Sequence, residues 1–159
     1  MAARALTLRL ACAQDAPTMA LMSRDLIEAG LAWRYSPQRI ALLIAESETT
    51  AVVACEGSQL LGFAVMQFGD ERAHLSLLCV LPAQQRRGIA RRLLEWLLES
   101  AVVAGITSIH LELRADNEAA RMFYRALGFS ETVLVPGYYE GRYAARRMER
   151  LLRAPTPMA

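Results

Sequence analysis

Hydrophobic and polar residues alternate along several short segments of the chain, and this period of two is typical of β-strands. Leucine occupies every second position from Leu6 to Leu10, which predicts a first strand over residues 6–12. Comparable patterns bounded by turn residues predict six more strands, over residues 51–55, 60–68, 74–81, 108–114, 131–135 and 143–152. Along residues 108–114 the apolar side chains face one side of the sheet, and the polar ones, including Glu112, face the other.

Four other segments combine helical spacing of apolar residues with residues that begin or end helices. Asp15 is suited to cap a first helix over residues 16–29, and Ser36 followed by Pro37 predicts a second helix over residues 37–45. Two further helices are predicted over residues 88–104 and 117–127, each followed by a glycine. The resulting order, β-α-α-β-β-β-α-β-α-β-β, favours an α+β domain with a largely antiparallel sheet and one β-α-β crossover.

The composition is that of a folded protein with one core. The chain has 159 residues, of which 54% are hydrophobic and 21% charged, so we predict one domain over residues 1–153 and a flexible tail over residues 154–159. No apolar run approaches the ~20 residues that a membrane helix needs. Arg9 also interrupts the apolar stretch that a secretion signal would require. We therefore expect a soluble, cytoplasmic protein that does not bind membranes.

Charge and cysteine content exclude several kinds of site. The formal net charge of +2 argues against a general nucleic-acid-binding protein. All 18 basic residues are arginine, so a Schiff-base lysine and a Walker-type phosphate lysine are excluded. The three cysteines lie far apart among apolar neighbours and without CxxC spacing, so we expect all three to be buried and no metal to be bound.

The segment between the strand over residues 74–81 and the helix that follows has the features of an anion site. Gln85, Gly88 and Ala90 lie at the start of the helix, where free backbone N–H groups and the helix dipole attract anions. Gly88 allows a phosphate to approach the backbone closely. Arginines at positions 86, 87, 91 and 92 add positive charge, which is unfavourable at a helix N-terminus unless an anion offsets it. The alternative is an ordinary amphipathic helix with a solvated basic first turn.

A second group of candidate residues lies in the strand and helix over residues 108–127. Asn117 and Tyr124 are seven residues apart, which places them on one stripe of a helix about 10 Å apart. The hydroxyl group of Tyr124 would reach a cleft at the edge of the core, and Glu112 lies on the polar face of the preceding strand. Each residue also has a simpler interpretation, with Tyr124 as a packing aromatic, Asn117 as a helix cap and Glu112 as a solvated carboxylate.

Residues 80–129 together resemble the GNAT superfamily of acetyl-CoA-dependent N-acetyltransferases. The Gln85-x-x-Gly88-x-Ala90 loop is similar to the pyrophosphate-binding motif of that family, and residues 117–129, with Tyr124, are similar to its other signature region. The C-terminal half is most similar to the RimI type, the acetyltransferases of ribosomal-protein N-terminal alanine. That similarity rests on the segment LELRADN at 111–117, the separation of Glu112 from Tyr124, and the Tyr138-Tyr139 pair. The first seventy residues match only in layout.

The resemblance implies direct transfer of an acetyl group from acetyl-CoA to a primary amine, without a metal. Asn117 would bind the cofactor arm, Tyr124 would protonate the departing CoA thiolate, and Glu112 would accept the proton of the attacking amine through water. A strand backbone would pair with the pantetheine arm, and the loop before the helix would hold the pyrophosphate. The implied cofactor-binding residues are Leu78, Cys79, Val80, Gln85, Arg86, Arg87, Gly88, Ile89, Ala90, Arg91 and Asn117.

The acceptor amine is less well defined by the sequence. Glu112 and the Tyr138-Tyr139 pair, expected to form an aromatic loop, favour a protein or peptide α-amine over a small-molecule amine such as a polyamine, an amino acid or an antibiotic. Trp33, similar to an aromatic residue of the family's substrate-side loop, is the third candidate acceptor-binding residue. The two tyrosines are equally consistent with a surface hairpin. A non-catalytic acyl-CoA-binding module remains an alternative, and we expect a monomer or a homodimer.

Overall fold

A computed structural model describes residues 4–152, so the predicted tail over residues 154–159 lies outside the described residues. Residues 4–152 form seven strands, β1 (Leu6–Leu10), β2 (Thr49–Glu56), β3 (Gln59–Phe68), β4 (Arg72–Val80), β5 (Ser108–Arg114), β6 (Ser130–Tyr139) and β7 (Tyr143–Leu151). They also form four α-helices, α1 (Ala16–Met22), α2 (Pro37–Ala45), α3 (Ile89–Val103) and α4 (Glu118–Ala126). The order of elements is the predicted one, and the predicted α+β fold class is confirmed.

The seven strands belong to one mixed sheet in the order β1-β2-β3-β4-β5-β7-β6. β4 and β5 are parallel neighbours, and the other neighbouring pairs of the described chain are antiparallel. Helix α3 connects β4 to β5, as the predicted β-α-β crossover requires. The sheet is therefore mostly antiparallel, with its one parallel pair at the centre.

Helices cover both faces of this sheet. Adjacent residues of β3 point to opposite sides, so Ala64 packs in the core beneath α3 and α4 while Phe63 packs with α1 and α2. Helix α3 buries one apolar stripe, formed by Ile89, Leu93, Leu94, Leu97 and Ala101. The spacing of these residues by three and four positions is the signal from which the helix is predicted.

The first predicted helix differs most from the structure. Helix α1 ends at Met22 and the chain continues as a π-helical turn over Ser23–Ile27, whereas the sequence pattern predicts one helix through residue 29. The backbone N–H of Glu28 donates to the carbonyl oxygen of Ser23 (2.7 Å), and the Ser23 hydroxyl donates to the Glu28 carboxylate (2.9 Å). This local network widens the turn, which helical periodicity alone does not indicate.

The predicted cap at Asp15 and the predicted burial of Cys12 are both wrong. The Asp15 carboxylate does not cap α1, because it accepts hydrogen bonds from Arg9 (2.8 Å) and from the backbone N–H of Cys12 (2.8 Å). Strand β1 ends at Leu10 rather than at residue 12, and Cys12 is exposed. Cys55 is buried, as expected, and Cys79 is half-buried.

Candidate active site

A cleft opens in the middle of the sheet where the parallel strands β4 and β5 separate. Their pairing is limited to Arg72–His74 of β4 against Ser108–His110 of β5. Strand β4 also has an extra residue at Ser76, since Leu75 and Leu77 pair with adjacent residues of β3, and a bulge of this kind bends a strand. Within residues 4–152, the edge of β4 that faces β5 therefore has no strand partner beyond the bulge.

Three cavities with shared walls follow this cleft. The helix-side cavity, about 650 Å³, lies between β4, the start of α3 and α4. The central cavity, about 320 Å³, lies between β4 and β5 and shares Asn117 and Tyr124 with the first. The hairpin-side cavity, about 350 Å³, lies beside the β6–β7 hairpin and shares Glu112 and Tyr139 with the second. The shared walls make the three cavities one path across the sheet.

The helix-side cavity brings together the predicted cofactor-binding residues, with one exception. Its lining includes Leu78, Cys79, Val80, Gln85, Arg86, Gly88, Ile89, Ala90, Arg91 and Asn117. Arg87 is the exception, because its guanidinium group hydrogen-bonds the side chains of Gln84 and Glu56. Ten of the eleven predicted cofactor-binding residues therefore line one cavity at the start of α3.

The loop that enters α3 carries a row of free backbone donors beside this cavity. Within the described residues, the backbone N–H groups of residues 86–91 donate to no backbone carbonyl group, and the N–H of Arg92 donates to the carbonyl oxygen of Gly88 (3.1 Å). Gly88 has a φ of 76°, and a Cβ added there would meet no atom within 4 Å. Free N–H groups at a helix N-terminus, with open space before them, can bind an anion such as a phosphate.

Asn117 and Tyr124 lie on the face of α4 that borders the cleft. Asn117 caps the helix, since its Oδ1 accepts a hydrogen bond from the Ala120 N–H (3.1 Å), and its side-chain NH₂ group remains available to the cavity. The Tyr124 ring is buried, with its centroid 5.2 Å from that of Phe123 and 5.6 Å from that of Phe129. Tyr124 lines both the helix-side and the central cavity, and burial raises the pKa of Tyr124 well above its usual value. Tyr124 is therefore a protonated donor at neutral pH.

Glu112 lies at the wall between the central and hairpin-side cavities. Its Oε2 is 2.5 Å from Nε2 of His74, and its Oε1 is 3.4 Å from Nε of Arg147. The hydrogen bond with His74 lowers the pKa of Glu112, and the charge of Arg147 acts in the same direction, against the opposing effect of burial. Both carboxylate oxygens are thus engaged, and Glu112 is ionised at neutral pH.

The β6–β7 hairpin forms the outer wall of the hairpin-side cavity. Tyr138 and Tyr139 are the last residues of β6 rather than the expected loop, and both line the cavity with their ring centroids 4.9 Å apart. Burial raises the pKa of Tyr139 to about 12. The Glu140 carboxylate accepts a hydrogen bond from the backbone N–H of Ala32 (2.6 Å), so the hairpin tip is tied to the chain between α1 and α2.

Trp33 lies outside the lining of all three cavities within the described chain. Its indole N–H donates to the carbonyl oxygen of Tyr35 (3.0 Å), and the Arg24 guanidinium lies 5.5 Å from its ring centroid. Glu28, in the same part of the chain, does line the hairpin-side cavity. Its buried carboxylate accepts hydrogen bonds from the backbone N–H groups of Arg34 (2.7 Å) and Tyr35 (3.3 Å). These hydrogen bonds hold the backbone next to Trp33 in place.

Sequence reasoning missed the two residues that hold Glu112. His74 is 38 positions away in the chain, and Arg147 reaches Glu112 because the two are directly paired across β5 and β7. The alternation of β4 indicates that His74 is on a polar face. Only the strand order and register reveal that Glu112 is its neighbour.

The described residues offer neither a metal site nor a membrane-spanning helix. Within residues 4–152, no group of three or more histidine, cysteine, aspartate or glutamate residues is arranged to hold a metal ion. No helix in that range is long and apolar enough to cross a membrane.

Comparison with known proteins shows the family to which this chain is similar. A family model described as the acetyltransferase (GNAT) family matches residues 18–129. The ribosomal protein bS18-alanine N-acetyltransferase of Salmonella typhimurium is 38% identical over 81 residues, which cover 51% of this chain and 55% of that protein. The corresponding Escherichia coli K12 protein is 36% identical over 84 residues, covering 53% of this chain and 57% of that protein. The chain therefore matches little more than half the length of these curated relatives.

A solved structure extends the similarity over almost the whole chain. The crystal structure of the ribosomal-protein-S18-alanine N-acetyltransferase from Escherichia coli superposes with a TM-score of 0.83 and 26% sequence identity. The superposition covers 98% of this chain and 99% of that one. The similarity in fold therefore includes the N-terminal half of the chain.

Proposed function

Because this chain belongs to the acetyltransferase (GNAT) family, we propose that it transfers an acetyl group from acetyl-CoA to a primary amine, and that the acceptor is the α-amine of a protein or peptide. The continuous cleft carries this proposal. It leads from the free N–H groups of residues 86–91, past Tyr124 and Glu112, to the hairpin tyrosines. A donor entering at the helix side and an acceptor entering at the hairpin side would meet at the central cavity.

The helix-side cavity has hydrogen-bonding groups for two polar parts of coenzyme A, the pantetheine arm and the pyrophosphate. The unpaired edge of β4 at Leu78–Val80 offers backbone groups to the amides of the pantetheine arm, as an added strand would. The free N–H groups of residues 86–91 suit the pyrophosphate, with the Arg86 side chain adding charge. The NH₂ group of Asn117 is a further donor to the arm. The bound donor supplies the acetyl group as a thioester, which is activated toward an amine.

The two candidate catalytic residues have the protonation states that the transfer needs. The neutral amine nitrogen forms a bond to the acetyl carbon while the bond between that carbon and sulfur breaks. The ionised carboxylate of Glu112 receives the amine proton through water, and the phenol of Tyr124, protonated because burial raises its pKa, gives a proton to the departing sulfur. A backbone N–H of the open β4 edge would stabilise negative charge on the carbonyl oxygen.

Two features favour a chain terminus as the acceptor. The hairpin-side cavity, about 350 Å³, is near the lower end of ligand pockets, which span ~300–1,000 Å³, and this suits one or two terminal residues. An α-amine has a pKa of about 7.7–8.0 and a lysine side chain about 10.4, so the former is neutral far more often near pH 7. A carboxylate that accepts a proton through water is therefore a sufficient base for an α-amine acceptor.

The proposed acetyl transfer is tested by measuring the release of CoA thiol with two sets of acceptors. The first set contains short peptides with free α-amines, each paired with its N-acetylated form, and the second contains polyamines, amino acids and aminoglycosides. We expect turnover on the free peptides and none on the blocked ones. Turnover on the second set alone would move the function to small-molecule acetylation. Saturable CoA binding without thiol release from either set would favour a non-catalytic acyl-CoA-binding module.

A further inference from the structure

The charged side chains that line the hairpin-side cavity differ in depth. The acids are Glu28, Glu112 and Glu140, and the arginines are Arg34 and Arg39. Glu28 is buried and the Glu112 side chain is only 15% exposed, whereas both arginines are exposed. Glu140, at the tip of the β6–β7 hairpin, is exposed as well. Two carboxylates therefore line the inner part of the cavity, and both guanidinium groups lie at its open side, which we call the rim.

All three carboxylates of this cavity already have partners within the protein. Glu28 accepts hydrogen bonds from the Ser23 hydroxyl and from the backbone N–H groups of residues 34–35. Glu112 has a contact at each of its two oxygens. Glu140 accepts a hydrogen bond from a backbone N–H of the segment between α1 and α2. The acids of the cavity therefore have hydrogen bonds that the protein itself supplies.

The two rim arginines lack such partners. Among the described residues, the guanidinium groups of Arg34 and Arg39 make no hydrogen bond and no ion pair, and only their backbone N–H groups bond to Glu28 and Ser36. The Arg39 guanidinium lies 4.4 Å from the ring centroid of Tyr35, a contact with the ring face that leaves its N–H groups available. A guanidinium group has five N–H donors in a fork that matches a carboxylate. The rim therefore presents two groups that suit an acidic side chain of the acceptor.

Positive charge borders the opening of the cavity on the hairpin side as well. Burial raises the pKa of Tyr138, and the charges of Arg147 and Arg34 oppose that rise. The Arg147 guanidinium lies 5.9 Å from the Tyr138 ring centroid. Arg34 belongs to the segment between α1 and α2, to which Glu140 ties the hairpin tip. A chain that enters between this segment and the hairpin therefore passes positive charge before it reaches Glu112.

We infer that the acceptor is an acidic chain terminus, in which an aspartate or glutamate at the second or third residue binds Arg34 and Arg39. The inference rests on the proposed transfer to a peptide α-amine and names the class of peptide. The protonated α-amine is attracted to the inner carboxylates, and the acid that follows it is attracted to the rim. An extended chain advances ~3.3 Å per residue, and the cavity suits one or two residues, so the second and third side chains are the ones that meet the rim. A basic side chain at these positions would face two arginines.

Four peptides that begin with alanine test this preference. Three of them carry two aspartates, two asparagines or two arginines at the second and third residues, followed by the same neutral sequence, and the fourth carries its two aspartates at the eighth and ninth residues instead. Each exposed ion pair contributes up to about fivefold, so we expect kcat/KM for the first peptide to exceed that of the asparagine peptide roughly 5- to 25-fold. The arginine peptide should be the poorest acceptor, and the fourth peptide should behave like the asparagine one. High salt should reduce the difference, because it screens exposed charges.

Substitutions at the rim locate the preference in the protein. The double variant Arg34→Gln, Arg39→Gln should accept the aspartate and asparagine peptides equally well, and Arg34→Glu should shift the preference toward the arginine peptide. The matched control is Arg125→Glu, which changes the net charge as Arg34→Glu does but lies on α4 and lines none of the three cavities of the cleft within the described chain. Equal kcat/KM for the aspartate and asparagine peptides in wild type would overturn the inference. A preference that persists in the double variant, or that Arg125→Glu loses to the same extent as Arg34→Glu, would also overturn it.

Binding measured without turnover separates failure of this inference from failure of the proposed function. The aspartate and asparagine peptides, labelled at their C-termini, are followed by fluorescence anisotropy in the presence of CoA, which has no acetyl group to transfer. We expect the aspartate peptide to bind more tightly to wild type but not to the double variant Arg34→Gln, Arg39→Gln. That binding pattern without any acetyl transfer from acetyl-CoA would contradict the proposed function alone. Acetyl transfer to all four peptides at equal rates would instead contradict the inference and leave the proposed function standing.

Discussion

Replacing Gly88 with alanine tests whether this residue serves CoA binding or only folding. A control for this substitution exists, because α3 has a second glycine of the same conformation at its other end. Gly88 precedes the helix with φ 76°, and Gly105 follows it with φ 80°. A Cβ at either position would meet no atom within 4 Å, so neither substitution causes a clash. Gly88 lines the helix-side cavity, and Gly105 lines none of the three cavities of the cleft within the described chain. Gly105→Ala is therefore a matched control for Gly88→Ala.

The expected magnitudes follow from backbone conformation and from hydrogen bonding. A left-handed conformation costs a non-glycine residue about 1–2 kcal/mol, and the stiffer unfolded chain returns about 0.4–1 kcal/mol. Both variants should therefore lose about 1 kcal/mol of unfolding free energy. In Gly88→Ala the new methyl group also stands where a phosphate would approach the loop. Loss of one hydrogen bond to a charged group costs about 1.5–3 kcal/mol, which corresponds to a Kd for CoA roughly 10- to 150-fold weaker.

The assays are urea denaturation for stability and isothermal titration with CoA for affinity. We expect equal losses of stability in Gly88→Ala and Gly105→Ala, and a weaker Kd in Gly88→Ala only. If the two variants bound CoA equally well, the loop before α3 would not be the phosphate site. If Gly105→Ala alone were destabilised, the conformational argument itself would be refuted.

Three more substitutions test the cleft and one ion pair outside it. Cys79→Ala should retain most of the wild-type kcat, because burial raises the Cys79 pKa to about 12 and leaves the thiol un-nucleophilic; a trapped acetyl-cysteine in the intact mass of wild type would contradict direct transfer. Tyr124→Phe should lower kcat roughly 10- to 100-fold with little change in the Kd for CoA, whereas equal losses in both would reduce Tyr124 to a packing residue. Asp15→Asn should lower the unfolding free energy by about 1 kcal/mol at pH 7, the usual upper value for an exposed pair. Since Arg9 lowers the Asp15 pKa to about 2, this stability is present above the unfolded pKa of about 3.9 and is lost as the pH falls toward 2. Urea denaturation at several pH values checks it, and a pH-independent difference would contradict it.

Local signals in the sequence predict the elements that depend on local contacts. Ser36 accepts a hydrogen bond from the Arg39 N–H (3.2 Å), as the Ser-Pro pair predicts, and Asn117 caps α4 in the same way. The strand over Ser108–Arg114 has its predicted bounds because its alternation is strict. The grouping of residues 78–91 around one cavity follows from the same strand–turn–helix pattern.

Features that depend on distant contacts were not predicted. The wide turn after Met22 exists because Glu28 is buried and bonds Ser23 and the backbone of Arg34, partners that no helical period reveals. Likewise, the contact between His74 and Glu112 depends on the register of two parallel strands joined through a helix. The sequence therefore identifies the candidate carboxylate but not the groups that set its protonation.

The most direct test of the account uses one peptide that carries a free α-amine and one internal lysine. At pH 7 about one α-amine in six to eleven is neutral, compared with roughly one lysine side chain in 2,500. The enzyme itself contains no lysine, so every acetyl-lysine detected must come from the acceptor. After incubation with acetyl-CoA, fragment-ion mass spectrometry locates the added acetyl group. The account predicts acetylation of the peptide N-terminus that is lost in Glu112→Gln; acetylation confined to the lysine, or acetylation unaffected by that substitution, would contradict it.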